Sequence, residues 1–119
     1  MHDVDRRRQG GLIVYQDLSP AEFTGQRDAD DSWQLLDVRE PREIDIVSLP
    51  DSIRIPLGEL PARLAELDRE RPVAVLCHSG GRSAQAAAYL ASQGFSRVAN
   101  IAGGINAWSL ELDDSLPRY

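Results

Sequence analysis

Short apolar runs alternate along this chain with segments of helical pattern, and that alternation restricts the fold more than any other feature. The runs QLLDV at 34–38 and VAVL at 73–76 are too short for buried helices, and polar or proline residues bound them. Residues 12–15, 53–55 and 97–101 read as further strands, set off by Gly10 and Gly11, by Pro50 and Pro56, and by Gly103 and Gly104. Between them lie helix starts and stops. Ser19, Pro20 and Glu22 form a capping box with proline at the first helical position. Glu40, Pro41, Arg42 and Glu43 turn into a helix of about two turns. Leu57, Leu60, Leu64 and Leu67 fall near helical spacing and predict an amphipathic helix up to Asp68. An alanine-rich helix over 82–93 stops at Gly94, and a short one covers 105–110. Residues 28–32 read as a polar loop and 113–119 as irregular. Strands alternating with helices need crossover connections, hence a largely parallel sheet of about five strands covered on both faces.

With 119 residues, no internal repeat and no convincing linker, one α/β domain over 11–119 is expected, preceded by a flexible segment over 1–10. The net charge of -6 argues against nucleic acid as a partner. Arg6, Arg7 and Arg8 read as a solvated, frayed terminus, with Asp3 and Asp5 offsetting part of their charge. Residues 1–9 lack the apolar core of a signal peptide, and no apolar run is long enough to cross a bilayer. A soluble, cytoplasmic protein with no membrane partner is the expectation. The single cysteine excludes an internal disulfide, so packing alone must hold the fold.

That cysteine, Cys77, ends the run at 73–76, where ligands of open α/β sheets bind. A buried thiol acting as a small hydrophobe would account for Cys77 but not for Ser79, Gly80, Gly81, Arg82 and Ser83 behind it. Small side chains there let backbone N–H groups converge on one point, and the positive end of the next helix backs them. Arg82 adds a permanent charge. Each factor favours the thiolate, which is the nucleophilic form. Lysine is absent from the chain, which removes Walker A chemistry. One cysteine and two histidines, His2 being on the terminus, do not make a tetrahedral zinc site, and no metal or other cofactor is expected.

The loop from Cys77 through His78, Ser79, Gly80, Gly81 and Arg82 to Ser83 resembles the Cys-x-x-Gly-x-Arg-Ser signature of the rhodanese-like (sulfurtransferase) domain family. The likeness extends over nearly the whole chain after Gly11. It takes in LDVREP at 36–41, Ile55 to Leu57, Gln93 to Phe95, and GGINAW at 103–108. It implies a doubly wound α/β domain with five parallel strands flanked by helices on both faces, and a cysteine that holds a sulfane sulfur as a persulfide. One segment departs from it: Ser48, Leu49, Pro50, Asp51 and Ser52 stand where the family commonly has His-x-Pro-Gly-Ala.

The resemblance implies an enzyme of the thiosulfate sulfurtransferase type. Cys77 would attack the outer sulfur of thiosulfate or of a persulfide, and the sulfur would pass to cyanide, a small thiol or a protein. Phosphatases and arsenate reductases related to this fold use a loop one residue longer, so the spacing from Cys77 to Arg82 favours sulfur over phosphoryl transfer. A docking or sensing module without catalysis is the other alternative, and retention of Cys77 and Arg82 argues against it. His78 reads as an outward side chain near the pocket rim, and Ser83 either as a donor to the thiolate or as a cap of the helix. Asp37 and Arg39 lie at the carboxyl end of another strand, where bracing of the loops is the favoured role. Trp33 and Trp108 read as packing residues.

Overall fold

The computed structural model describes residues 5–9 and 12–119. Six strands form one sheet in the order β1-β2-β6-β5-β3-β4. The strands are β1 (Asp5–Gln9), β2 (Leu12–Leu18), β3 (Gln34–Asp37), β4 (Ser52–Arg54), β5 (Val73–Leu76) and β6 (Val98–Ile101). From β2 to β4 every neighbouring pair is parallel, giving the five-stranded parallel sheet expected. The helices are α1 (Pro20–Ala29), α2 (Pro41–Ile46), α3 (Gly81–Ser92) and α4 (Gly104–Glu111). No helix among the described residues is long and apolar enough to cross a membrane.

Successive side chains of a strand point to opposite faces, so a buried parallel sheet needs apolar residues at every position. On β5, Val73 and Val75 join Leu36, Val98 and the α3 residues Ala86, Ala87 and Leu90 in one core cluster. Ala74 and Leu76 join Leu35, Ala99, Ile101, Phe23 of α1 and Ile105 and Trp108 of α4 in the other. Trp33 and Trp108 are therefore core residues, and Phe23 meets the Trp33 ring edge-on at 5.5 Å. At α1 the capping box is present, with Glu22 N donating to Ser19 Oγ at 3.0 Å and Ser19 N to Glu22 Oε1 at 2.8 Å. Gly94, at φ 95°, ends α3, and Phe95 N donates back to Leu90 O at 3.3 Å.

Three segments differ from expectation. The leucine stripe at 57–67 is not an α-helix but two 3₁₀ pieces, Leu57–Glu59 and Pro61–Glu66. Pro61 has no N–H to donate four residues back, and the bonds run instead over three residues, from Leu60 N to Leu57 O and from Arg63 N to Leu60 O. Leu60, Leu64 and Leu67 are nonetheless buried. β2 runs to Leu18, past the expected end at Tyr15, because β6 pairs with Gln16, Asp17 and Leu18. At the N-terminus, where residues 1–10 read as flexible, Asp5–Gln9 lies antiparallel on β2, whose edge would otherwise leave backbone groups unpaired. Residues 1–4, 10 and 11 lie outside the described residues.

Helix α3 can lie close to the sheet because its inward residues Ala86 and Ala87 are small and fully buried. Ala87→Leu is expected to overpack this contact and lower stability by about 1–3 kcal/mol, measured as an earlier midpoint in denaturant unfolding with unchanged far-UV circular dichroism.

Candidate active site

Cys77 continues the alternation of Val73 and Val75, which places its thiol on the α3 side of the sheet, 1% exposed. The chain then turns through Gly80, at φ 112°, a conformation open to glycine, and starts α3. This turn brings Gly80 N to 3.1 Å from Cys77 Sγ as a donor. Ser83, one turn into α3, puts its Oγ 3.2 Å from the same sulfur. The first turn of α3 has no side-chain cap.

The loop carbonyls are engaged elsewhere. Cys77 O accepts from Ile105 N at 2.8 Å and His78 O from Asn106 N at 3.2 Å, both amides of the first turn of α4. This contact requires glycine at 104, with φ 61°. A Cβ there would stand 2.5 Å from His78 O and still closer to Cys77 O.

Around the loop lies a network of two ion pairs. Arg82 Nη1 and Nη2 donate to Glu43 Oε1 and Oε2 at 2.6 and 2.7 Å, tying α3 to α2. Arg39, fully buried, donates from Nε and Nη2 to Asp37, also fully buried, and from Nη1 and Nη2 to Glu43 O and Val47 O. Tyr119 links the pairs: its hydroxyl accepts from Arg39 Nη1 at 3.1 Å and donates to Glu43 Oε2 at 2.7 Å. Its ring lies flat on His78, with centroids 3.9 Å apart and planes 4° apart. Hydrogen bonds from Arg82 above all, then from the Glu40 backbone and Tyr119, hold the Glu43 carboxyl down at about 2 despite its partial burial.

Of the residues singled out in the sequence, Cys77, Gly80 and Ser83 converge on one sulfur. Arg82 spends its two terminal nitrogens on Glu43. His78 is half-buried beneath Tyr119, and its Nε2 is buried without a partner. Ser79 and Gly81 are exposed on the loop. Asp37 and Arg39 brace the β3 and α2 ends from inside the protein rather than lining an open rim. Sequence reasoning missed Glu43, Asn100 and Tyr119. Asn100 had a signal, being an amide inside the otherwise apolar run VANI. Among the described residues no three His, Cys, Asp or Glu side chains gather as a metal-binding group.

A parallel α/β domain with a cysteine at the carboxyl end of a central strand, cradled at a helix start, defines the class. The chain belongs to the rhodanese-like domain family, whose profile matches residues 19–111. A protein named Sulfurtransferase from Allochromatium vinosum is 43% identical over 90 residues, covering 75% of this chain and 84% of its own. The chloroplastic Rhodanese-like/PpiC domain-containing protein 12 of Arabidopsis thaliana is 50% identical over 93 residues, covering 75% of this chain. Only 31% of that longer protein is spanned. The crystal structure of a rhodanese-related protein from Thermoplasma volcanium superposes with a TM-score of 0.73 at 35% identity, covering 82% of this chain and 94% of that one.

Because the Glu43 carboxyl is lower in the folded chain than its ordinary 4.5, its contribution to stability is complete above pH 4.5. It is lost as pH falls through about 2. Glu43→Gln should therefore be less stable than wild type at neutral pH, with the difference shrinking as pH falls from 4.5 towards 2. Urea unfolding of both proteins over that range measures it.

Proposed function

We propose that this domain is a sulfurtransferase in which Cys77 holds the sulfur in transit as a persulfide. The observation that supports this best is the Gly80 amide donating to Cys77 Sγ while the carbonyls of Cys77 and His78 are bonded away to α4. A sulfur facing an amide donor, with those acceptors turned elsewhere, is suited to carry negative charge. Naming of the Allochromatium vinosum relative as a sulfurtransferase supports the same reading.

In the first half-reaction the Cys77 thiolate attacks the outer sulfur of thiosulfate. The thiosulfate S–S bond breaks, its electron pair leaves with sulfite, and Cys77 becomes an anionic persulfide. In the second, a nucleophilic acceptor such as cyanide, a small thiol or a protein thiol attacks the outer sulfur, and the Cys77 thiolate leaves. Two displacements through a covalent intermediate give ping-pong kinetics. Burial of Cys77 at 1% exposure favours donors that present a small terminal sulfur. The positive end of α3 and the charge of Arg82, shared with Glu43, favour an anionic one.

Incubation with thiosulfate is expected to add the mass of one sulfur to the wild type and nothing to Cys77→Ser, read by intact mass spectrometry. Cyanide should then remove that sulfur as thiocyanate. Equal sulfur uptake by both proteins would eliminate Cys77 as the carrier.

A further inference from the structure

A file of polar side chains leads away from Cys77 across the α3 side of the sheet. Cys77 Sγ lies 3.2 Å from Ser83 Oγ. Ser83 Oγ donates to Asn100 Oδ1, and Asn100 Nδ2 donates to Asp17 Oδ1 at 3.0 Å. Ser83 is 0% and Asn100 5% exposed, so donors and acceptors within the protein, not bulk water, decide where each proton points.

The directions follow from chemistry. A carboxylate can only accept, so Asp17 turns the NH₂ of Asn100 towards itself and leaves Oδ1 facing Ser83. That oxygen too can only accept, and it takes the one proton of the Ser83 hydroxyl. Ser83 therefore shows Cys77 a lone pair. Such an oxygen receives a hydrogen bond from a thiol but repels a thiolate.

We propose that Asn100, oriented by Asp17, is a positioning residue that holds the Ser83 proton away from Cys77 and so favours the protonated thiol in the resting domain. When Cys77 ionises, its proton passes to solvent, and the Ser83 hydroxyl must turn from Asn100 to the sulfur to stabilise the charge. The carbonyl of Gly80, 3.2 Å from Ser83 Oγ, is a weaker competitor because it already accepts from Ala84 N. This device rests on Cys77 being the nucleophile, and it would restrain that nucleophile until a donor occupies the loop.

The test is alkylation of Cys77 by iodoacetamide, followed by mass spectrometry across roughly pH 5 to 9. Asn100→Leu frees the Ser83 proton for the sulfur, so alkylation near neutral pH should quicken by roughly three- to tenfold. The profile should shift to lower pH without a higher plateau, whereas mere opening of the site would raise the plateau. Asp17→Asn should shift the profile the same way, because the Asn100 amide can then reverse. It serves as the second variant should Asn100→Leu fail to fold. The other titratable groups near Cys77 are not themselves substituted in these variants: Arg82 with Glu43, the Asp37–Arg39 pair, His78 and Tyr15. In a Ser83→Ala background neither substitution should move the profile. A profile unmoved or shifted upward in the folded variants, or a shift that survives Ser83→Ala, overturns the proposal. Iodoacetamide reads the thiol itself, so this result is independent of whether thiosulfate loads the wild type.

Discussion

The contact on which the loop depends is backbone on backbone. Two glycine turns meet, one after β5 and one after β6, and the amides of Ile105 and Asn106 take up the carbonyls of Cys77 and His78. A buried carbonyl left without a donor costs about as much as a lost hydrogen bond. The start of α4 therefore fixes which way the peptide groups after Cys77 face. Both turns need glycine for the same reason: Gly80 and Gly104 have positive φ, and a Cβ on either would press on the opposing backbone. The β6–α4 turn, distant in sequence from the cysteine, is thus part of its setting.

A second layer holds that setting still. Arg39 is among the largest fully buried side chains, and its guanidinium is used on both sides: Asp37 pairs with it, and the carbonyls of Glu43 and Val47 accept from it. Burying a charge is tolerable only when it is paired and its remaining donors are satisfied. Satisfying Arg39 fixes the end of α2 against β3, which in turn fixes Glu43, the partner of Arg82. Position is relayed from the sheet to the cysteine loop through charges that are each matched locally.

The sheet was legible in the sequence because a parallel strand buried on both faces reads as a nearly continuous apolar run, and residues 34–38 and 73–76 do so apart from Gln34 and Asp37. The cysteine loop was legible because small residues and a helix start are contiguous with Cys77. Two kinds of feature were not. Leucine spacing at 57–67 reported which side chains are buried but not the hydrogen-bond pattern, which Pro61 decided. Tyr119 meets Arg39 and Glu43 across 80 and 76 residues of chain, and Glu43 meets Arg82 across 39, and nothing local to an irregular tail or a short helix announces such meetings.

The distribution of charge around the proposed nucleophile differs from a free arginine beside a sulfur. Arg82 is already matched by the Glu43 carboxylate, held ionised down to about pH 2, so its attraction for an anion is offset at short range. An anionic donor would have to share Arg82 with Glu43 or displace it, and Tyr119, bonded to the same carboxylate, ties that exchange to the ring covering His78. Stabilisation of charge on the sulfur itself then falls chiefly to the Gly80 amide, which donates to it, and to the Ser83 hydroxyl only once that proton turns from Asn100. Short-range donors of this kind discriminate by position, whereas a net positive field attracts any anion. With its arginine paired and the Gly80 amide aimed at one atom, the loop of the proposed sulfurtransferase would select for where charge forms rather than for how much charge arrives.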